Sequence, residues 1–388
     1  MITVEDALAR CLALATALDT ETVPLRQAAG RYMASPAIAQ LTQPPFAASA
    51  MDGYALGSAA SVGAQFTVIG EAGAGHAFAD RLAPDQAIRI FTGAPLPEGG
   101  VTIVIQEDVT VNGTQITLNA AAKAGDNIRP KGQDFLQGQS LGPRLLRPND
   151  LALLAAMNVP QVRVTRRPIV ALIATGDELV MPGEVPGPDQ IIASNTFALA
   201  AMIEAAGGEA RMLPIARDTE ADLRTVFGLT TGADLIVTIG GASVGDHDLV
   251  GKVAEGLGLQ RAFWKIAMRP GKPLMAGHIM GVPMLGLPGN PVSAIVCGHL
   301  FLLPMLRAML GRADCAPPIL RARLGTDLPA NGPRTHYMRA RLADGVIAPF
   351  DRQDSALLSI LTEANALLIR PVGDTGRKAG DPVDYIAI

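Results

Sequence analysis

Continuous apolar runs alternate with helical periods along the middle of the chain. Pro168-Ile-Val-Ala-Leu-Ile-Ala-Thr-Gly176 is apolar throughout and ends on glycine, the pattern of a strand covered on both faces. Ser194-Asn195 caps a helical pattern through Ala206, and a second strand is predicted over 210–216, ending at Arg217-Asp218. A helix follows from about Thr219, a third strand over 234–241, and a helix from about Asp246. The last repeat is a strand over 282–287 and a long helix from Pro291 to Leu310. Such alternation predicts a parallel sheet with right-handed crossovers. The flanks read differently. Thr3 and Asp6 start a helix whose apolar run is 7–18, and short strands over 65–70, 102–106 and 114–118 are separated by Gly, Pro and Ala. Asn149 is placed to cap a helix over 149–158. From Cys315 the period returns to strands, over 319–324, 336–342, 346–350, 366–370 and 383–386, which predicts a small β-barrel or sandwich. The fold class is α/β plus β, in several domains.

Composition narrows the function classes. The chain has 388 residues, enough for two or three domains at about 150 residues each. Its 41 glycines and 29 prolines fit many turns and short strands. A net charge of −4 argues against a basic nucleic-acid-binding body or a membrane-surface patch, since both need concentrated positive charge. Aromatic residues are 4 % of the chain, too few for base-stacking platforms to be its theme. Cys11, Cys297 and Cys315 stand far apart with no CxxC, which excludes a disulfide framework or a structural zinc site. The N-terminus carries acids where a signal peptide needs bases. The greasy stretch 291–310 is interrupted by His299, Pro304 and Arg307, so no spanning helix is expected. The expected location is the cytoplasm, with no nucleic acid and no membrane.

In an open parallel sheet ligands sit beyond the carboxyl ends of the strands. Four such ends carry polar or glycine-rich segments: Thr175-Gly-Asp-Glu178, Arg217-Asp218, Gly240-Gly-Ala-Ser-Val-Gly-Asp-His-Asp248 and Gly286-Leu-Pro-Gly-Asn-Pro-Val-Ser293. The last two lead into helices, where backbone N–H groups attract an anion, and neither is a Walker motif. Glu178, Asp218, Asp246 and Asp248 bring four carboxylates to one edge, which a Mg²⁺ shared with substrate phosphates would resolve. Asp218 and Asp246 equally suit helix starts. Lys265, Arg269 and Lys272, beside Pro270-Gly-Lys-Pro273, suit an oxyanion, or a solvated surface run. Trp264, the only tryptophan, reads as core or pocket wall. Asp52 lies in a turn of the β-rich region, where an aspartate commonly bonds its own backbone. His76, His278 and His299 have no partners at ligand spacing, and no nucleophile–His–acid order surrounds His247.

Taken together, these segments resemble the MoeA family of molybdopterin molybdenumtransferases, which includes the gephyrin E domain. The matching stretches are Ser49-Ala-Met-Asp-Gly-Tyr-Ala55, Arg89-Ile-Phe-Thr-Gly-Ala-Pro95, Ala174-Thr-Gly-Asp-Glu-Leu179, Gly240 to Asp248, Phe263-Trp-Lys-Ile-Ala-Met-Arg-Pro-Gly-Lys-Pro273 and Gly286 to Ala294. They follow the family's order and span nearly the whole chain. The resemblance implies a linker domain over 1–40 and 141–165, a β-rich inserted domain over 41–140, a molybdopterin-binding α/β domain over 166–312 and a C-terminal β-barrel over 313–388. It also implies an elongated homodimer whose active site is shared between subunits. The implied reaction takes adenylylated molybdopterin and molybdate and yields molybdenum cofactor and AMP, assisted by Mg²⁺.

Motif by motif, the resemblance implies catalytic roles for Asp52, Thr92, Asp134, Glu178, Asp218, Asp248 and Lys265, with Asp218 and Asp248 as metal ligands. It implies oxyanion binding by Ser243, Arg269, Lys272, Ser293, Arg339 and Ser355. Arg269 stands where the family usually has lysine, and Ala356 where it has histidine. Two other readings differ in kind. A molybdopterin adenylyltransferase would share the α/β domain but needs neither flank. A peptide-binding scaffold would not need Asp52 and Glu178 together.

Overall fold

A computed structural model of the chain describes residues 1–241 and 249–388. The chain divides into two compact units, one of residues 1–21, 30–34 and 163–388, the other of residues 22–29 and 35–162.

The larger unit is built on a six-stranded sheet. Its spatial order is Glu209–Met212, Ile169–Ala174, Leu235–Ile239, Val282–Leu287, Met275–Ile279 and Gln260–Trp264. The first four strands are parallel, in register Val170 to Leu235 and Ile236 to Met284. The last two are antiparallel, which corrects the all-parallel expectation. An antiparallel edge needs only tight connections, so no helical period separates those strands in the sequence. The strand expected over 210–216 is also shorter.

Both faces of this sheet are covered. Val170, Leu172, Leu235 and Val237 point into one core, with Val4, Ala7 and Cys11 of the helix Val4–Leu14 and the long helical run from Pro291. Ile173 and Ile236 point into the other, against Leu223 and Phe227 of Glu220–Gly228 and Val250 and Val253 of Leu249–Gly256. This alternation is the two-residue strand period acting on both faces. The opening helix is capped as expected, Thr3 accepting from the Asp6 amide, but ends at Leu14.

The helical run 291–309 meets the length and hydropathy of a membrane span, and 72 % of its apolar window is buried inside the structure. It is a core helix. Its middle, Gly298–Leu302, is a π turn that contains His299.

The C-terminal strands Leu320–Leu324, Thr335–Ala343, Val346–Pro349, Ala366–Arg370 and Pro382–Ala387 close into a five-stranded barrel, because Thr335–Ala343 pairs with both Val346–Pro349 and Ala366–Arg370. Closure removes the exposed edges. Met268–Arg269 adds alongside, with Arg269 paired to His336.

The smaller unit carries a six-stranded sheet ordered Thr102–Ile105, Gly53–Leu56, Gln86–Ile90, Gln65–Ala72, Gln115–Leu118 and Val109–Asn112. Gly53 opens the second of these strands where a Cβ would stand 1.9 Å from the Val104 carbonyl oxygen, so only glycine follows Asp52 there. The predicted helix near 149 is Pro148–Ala156. Asp150, not Asn149, closes its first turn by accepting from the Arg147 amide.

Candidate active site

The strand carrying Ala174 sits between its two parallel neighbours, so the chain order reverses across it, which is where an open sheet leaves a crevice. The structure has a cavity of about 650 Å³ at that place, lined by Ala174 to Gly176, Ile239 to Gly241 and Pro288 to Pro291. Glu178 and Asp218 both line it. Neither carboxylate has a hydrogen-bond or ion-pair partner among the described residues.

Local bonding explains why these two acids have no partner among the described residues. Thr219, not Asp218, caps the helix Glu220–Gly228, accepting from the Asp222 amide. Asp218 donates its own N–H to the Asp177 carboxylate at 3.0 Å. The Arg217 guanidinium gathers the loop from beneath, donating to the Asp177 and Leu179 carbonyls at 3.0 Å each. Gly176 has φ +146°, and a Cβ on it would stand 2.3 Å from Glu178 Oε2. The Glu178 carboxyl therefore rests against bare backbone. Arg217 and Asp177 were not assigned roles from sequence, because their contribution is made through backbone groups that carry no motif.

The remaining wall is apolar or structural. Leu179, Ile191, Ile192, Leu249 and Val250 supply an organic surface, and the Asn195 carboxamide ties the Gly289 carbonyl at 2.7 Å. Pro273 and Ala356 complete the lining, adjacent in sequence to Lys272 and Ser355. Lys265, Arg269, Ser293 and Arg339 do not line it. Ser243 and Asp248, with Asp246 and His247, lie outside the described residues.

The helix starting at Pro291 corrects one expectation. Pro291 has no N–H, and the Val292 amide donates to the Ser355 carbonyl at 3.0 Å. That start is docked to the barrel rather than open to an anion. Ser293 itself is 4 % exposed. Arg339 is 1 % exposed and donates to the Asp354 carbonyl at 2.7 Å and to Gln353 Oε1 through Nε and Nη2. Its guanidinium holds the turn that carries Ser355 and Ala356. Arg269 and Lys272 are exposed on the loop joining Trp264 to Met275, closed by the Ile266 amide on the Lys272 carbonyl.

The smaller unit holds the other acids. Asp52 Oδ1 accepts from the Thr92 amide at 2.7 Å and from Thr92 Oγ1 at 2.8 Å. The Thr92 backbone bond first, then its hydroxyl, hold the Asp52 carboxyl below the usual carboxylate range, and the Arg89 charge adds to this. The bond reaches across forty residues instead of closing the aspartate's own turn. Ser49 fixes the turn, its hydroxyl donating to the Met51 carbonyl at 2.6 Å. Asp134 lies with Arg129, Phe46 and Gly93 around a second cavity of about 510 Å³.

Among the described residues no three His, Cys, Asp or Glu side chains cluster to hold a metal. Two carboxylates on a cavity wall, unpaired among the described residues, nevertheless fit Mg²⁺, which is held by one or two carboxylates with substrate phosphates and water.

Three family models match: the MoeA N-terminal region (domain I and II) over residues 2–158, a probable molybdopterin binding domain over 171–308, and the MoeA C-terminal region (domain IV) over 321–388. A molybdopterin molybdenumtransferase of Nostoc sp. is 36 % identical over 384 residues, covering 94 % of this chain and 88 % of that one. The Haemophilus influenzae protein of the same name is 36 % identical over 326 residues, covering 82 % and 80 %. The crystal structure of a molybdopterin biosynthesis MoeA protein from Pyrococcus horikoshii OT3 superposes over the full length of both chains with a TM-score of 0.84 at 26 % identity. The chain belongs to the MoeA family, among whose curated members are these molybdopterin molybdenumtransferases.

Proposed function

We propose that the chain inserts molybdate into adenylylated molybdopterin, forming molybdenum cofactor and releasing AMP. The observation that carries this is the pair of carboxylates, Glu178 and Asp218, without a partner among the described residues, on one wall of the cavity in the segment matching the molybdopterin-binding family. The apolar wall of Ile191, Ile192 and Leu249 suits a flat organic ring, and the carboxylates suit a Mg²⁺ shared with its phosphate end. Matches over both flanks disfavour an adenylyltransferase built on the α/β domain alone.

Release of AMP breaks a phosphoanhydride. Water adds to phosphorus in line with the departing oxygen, which leaves on the molybdopterin phosphate and takes a proton. Glu178 and Asp218, which both line the cavity, orient that water and accept its proton in this reading. Asp218, with Asp248 as the proposed second ligand, would hold a Mg²⁺, which would supply positive charge for the phosphate oxygens. Lys265, Lys272 and Arg269 supply fixed cations, and Ser243 and Ser355 hydroxyl donors, for the molybdate dianion, while the buried Ser293 belongs to the docked helix start. Arg339 serves by holding the Ser355 turn. Asp52, Thr92 and Asp134 complete the site from the smaller unit of the partner subunit in a homodimer of a cytoplasmic enzyme. Incubating purified protein with adenylylated molybdopterin, Mg²⁺ and molybdate tests the proposal: AMP and active cofactor form together, and absence of both overturns it.

A further inference from the structure

We infer that Trp264 is the positioning residue for Lys265. The Lys265 ammonium stands 3.9 Å from the centroid of the indole ring, and among the described residues it has no carboxylate partner. A cation over an indole face is held by the ring quadrupole, and tryptophan is the strongest side chain for this. The indole is itself fixed. It is half-buried against the core that contains Met275, and its strand pairs Trp264 with Met275. The Arg261 guanidinium also lies 5.4 Å from the same ring and is anchored by Glu255 at 2.7 Å.

The backbone supplies an independent reason. Lys265 has φ +67°, a left-handed conformation that side-chain-bearing residues rarely adopt. Its amide donates to the Leu274 carbonyl at 2.9 Å and the next amide, of Ile266, to the Lys272 carbonyl at 3.0 Å, so the backbone on either side of the Lys265 Cα is held. With this turn, the lysine stem lies back over the preceding ring. A lysine stem is otherwise flexible, with an ammonium free to sample a wide volume. Indole and turn together confine it before substrate arrives, which is where a fixed cation gains rate. Trp264 thus acts through Lys265 and touches no reacting atom. This rests on the functional reading of Lys265 given above.

The test is a double-mutant cycle on AMP release in the full-length enzyme, with Trp264→Leu, Trp264→Phe, Lys265→Ala and the Leu/Ala double variant. Trp264→Leu is expected to lower kcat/KM by about three- to tenfold, in line with one cation–π contact. Trp264→Phe is expected to restore most of it, and Trp264→Leu to cost nothing further in the Lys265→Ala background. In enzyme labelled with ¹³Cε-lysine, ring current shifts one lysine Hε signal upfield; Lys265→Ala removes it and Trp264→Leu returns it to the ordinary range. Full rate in Trp264→Leu, or the same loss in the Lys265→Ala background, overturns the positioning role. Full rate in Lys265→Ala removes the functional reading of that lysine and the inference with it, while the upfield signal would still report the contact. Absence of the signal in the unsubstituted enzyme overturns the geometry itself.

Discussion

Thr92 donates two hydrogen bonds to one oxygen of Asp52, from its amide and from its hydroxyl, at 2.7 and 2.8 Å. The acid is fully at the surface yet fixed in place and ionised at neutral pH. A carboxylate kept below its usual range is a poor proton reservoir and a good permanent charge.

Replacing Thr92 with valine keeps the amide bond and removes the hydroxyl bond. The Asp52 carboxyl is expected to titrate closer to the ordinary range, because the second of its two stabilising contacts is lost. AMP release is expected to fall by about ten- to a hundredfold, the worth of one charge-assisted hydrogen bond. The melting temperature should hardly move, since surface changes are usually within about 0.5 kcal/mol. Carboxyl NMR and initial rates check this; unchanged titration would show that the amide alone sets the acid.

Gly176 and Gly138 both have positive φ, yet they differ in what a methyl group would meet. A Cβ at Gly176 would stand 2.3 Å from the Glu178 carboxyl, whereas at Gly138 nothing lies within 4 Å. Alanine at either position is expected to cost about 1–3 kcal/mol of backbone strain. Only Gly176→Ala should also reduce AMP release, by at least tenfold, because it displaces Glu178. Chemical denaturation with rate measurements at the same pH separates the two effects.

Much of this arrangement was legible in the sequence. The barrel strand Ala366–Arg370 and the sheet strand Val282–Leu287 fall where the apolar runs place them. Glu178 and Asp218 meet at the strand ends because parallel topology puts all carboxyl ends at one edge. What was not legible is set by tertiary bonding. The helix start at Pro291 reads as an anion site until the Ser355 carbonyl is found on the Val292 amide. Arg339 reads as a ligand for an oxyanion, while its partners are the Asp354 carbonyl and Gln353. Neither contact has a sequence period.

Acid should destabilise the fold before carboxylates protonate. Burial pushes the His299 imidazole down from 6.5 to about 4, with Arg307 adding to this. His336 is likewise pushed down to about 4, by burial first and then by Arg269 and neighbouring arginines. Both stay neutral in the fold while the unfolded chain takes up protons near pH 6.5. Stability is therefore unaffected by these groups above that pH and falls as pH drops from 6.5 towards 4, by at most about 1.4 kcal/mol per pH unit for each histidine. Urea midpoints at pH 7.5, 6 and 5 are expected to fall in that order. His299→Leu should flatten the dependence, and a flat profile in the unsubstituted protein would contradict it.

A shared site predicts recovery on mixing. Asp52→Ala and Glu178→Ala chains, each inactive, are co-expressed so that subunits pair at random. Half the dimers are then mixed, and in each of these one site collects both lesions and the other neither. Roughly a quarter of full activity should return. Activity no higher than that of either variant alone, with exchange confirmed by differently tagged chains, would mean that each site is built within one chain.

The most direct measurement is AMP release by the enzyme, Glu178→Gln and Asp218→Asn, with adenylylated molybdopterin and Mg²⁺, in the presence and absence of molybdate. Both substitutions keep shape and remove charge from the cavity wall. The account predicts molybdate-dependent AMP release with matching cofactor formation in the unsubstituted enzyme, and losses of at least a hundredfold in both variants at unchanged melting temperature, as removal of a group acting on the transition state produces. AMP release at full rate in the two variants would contradict it.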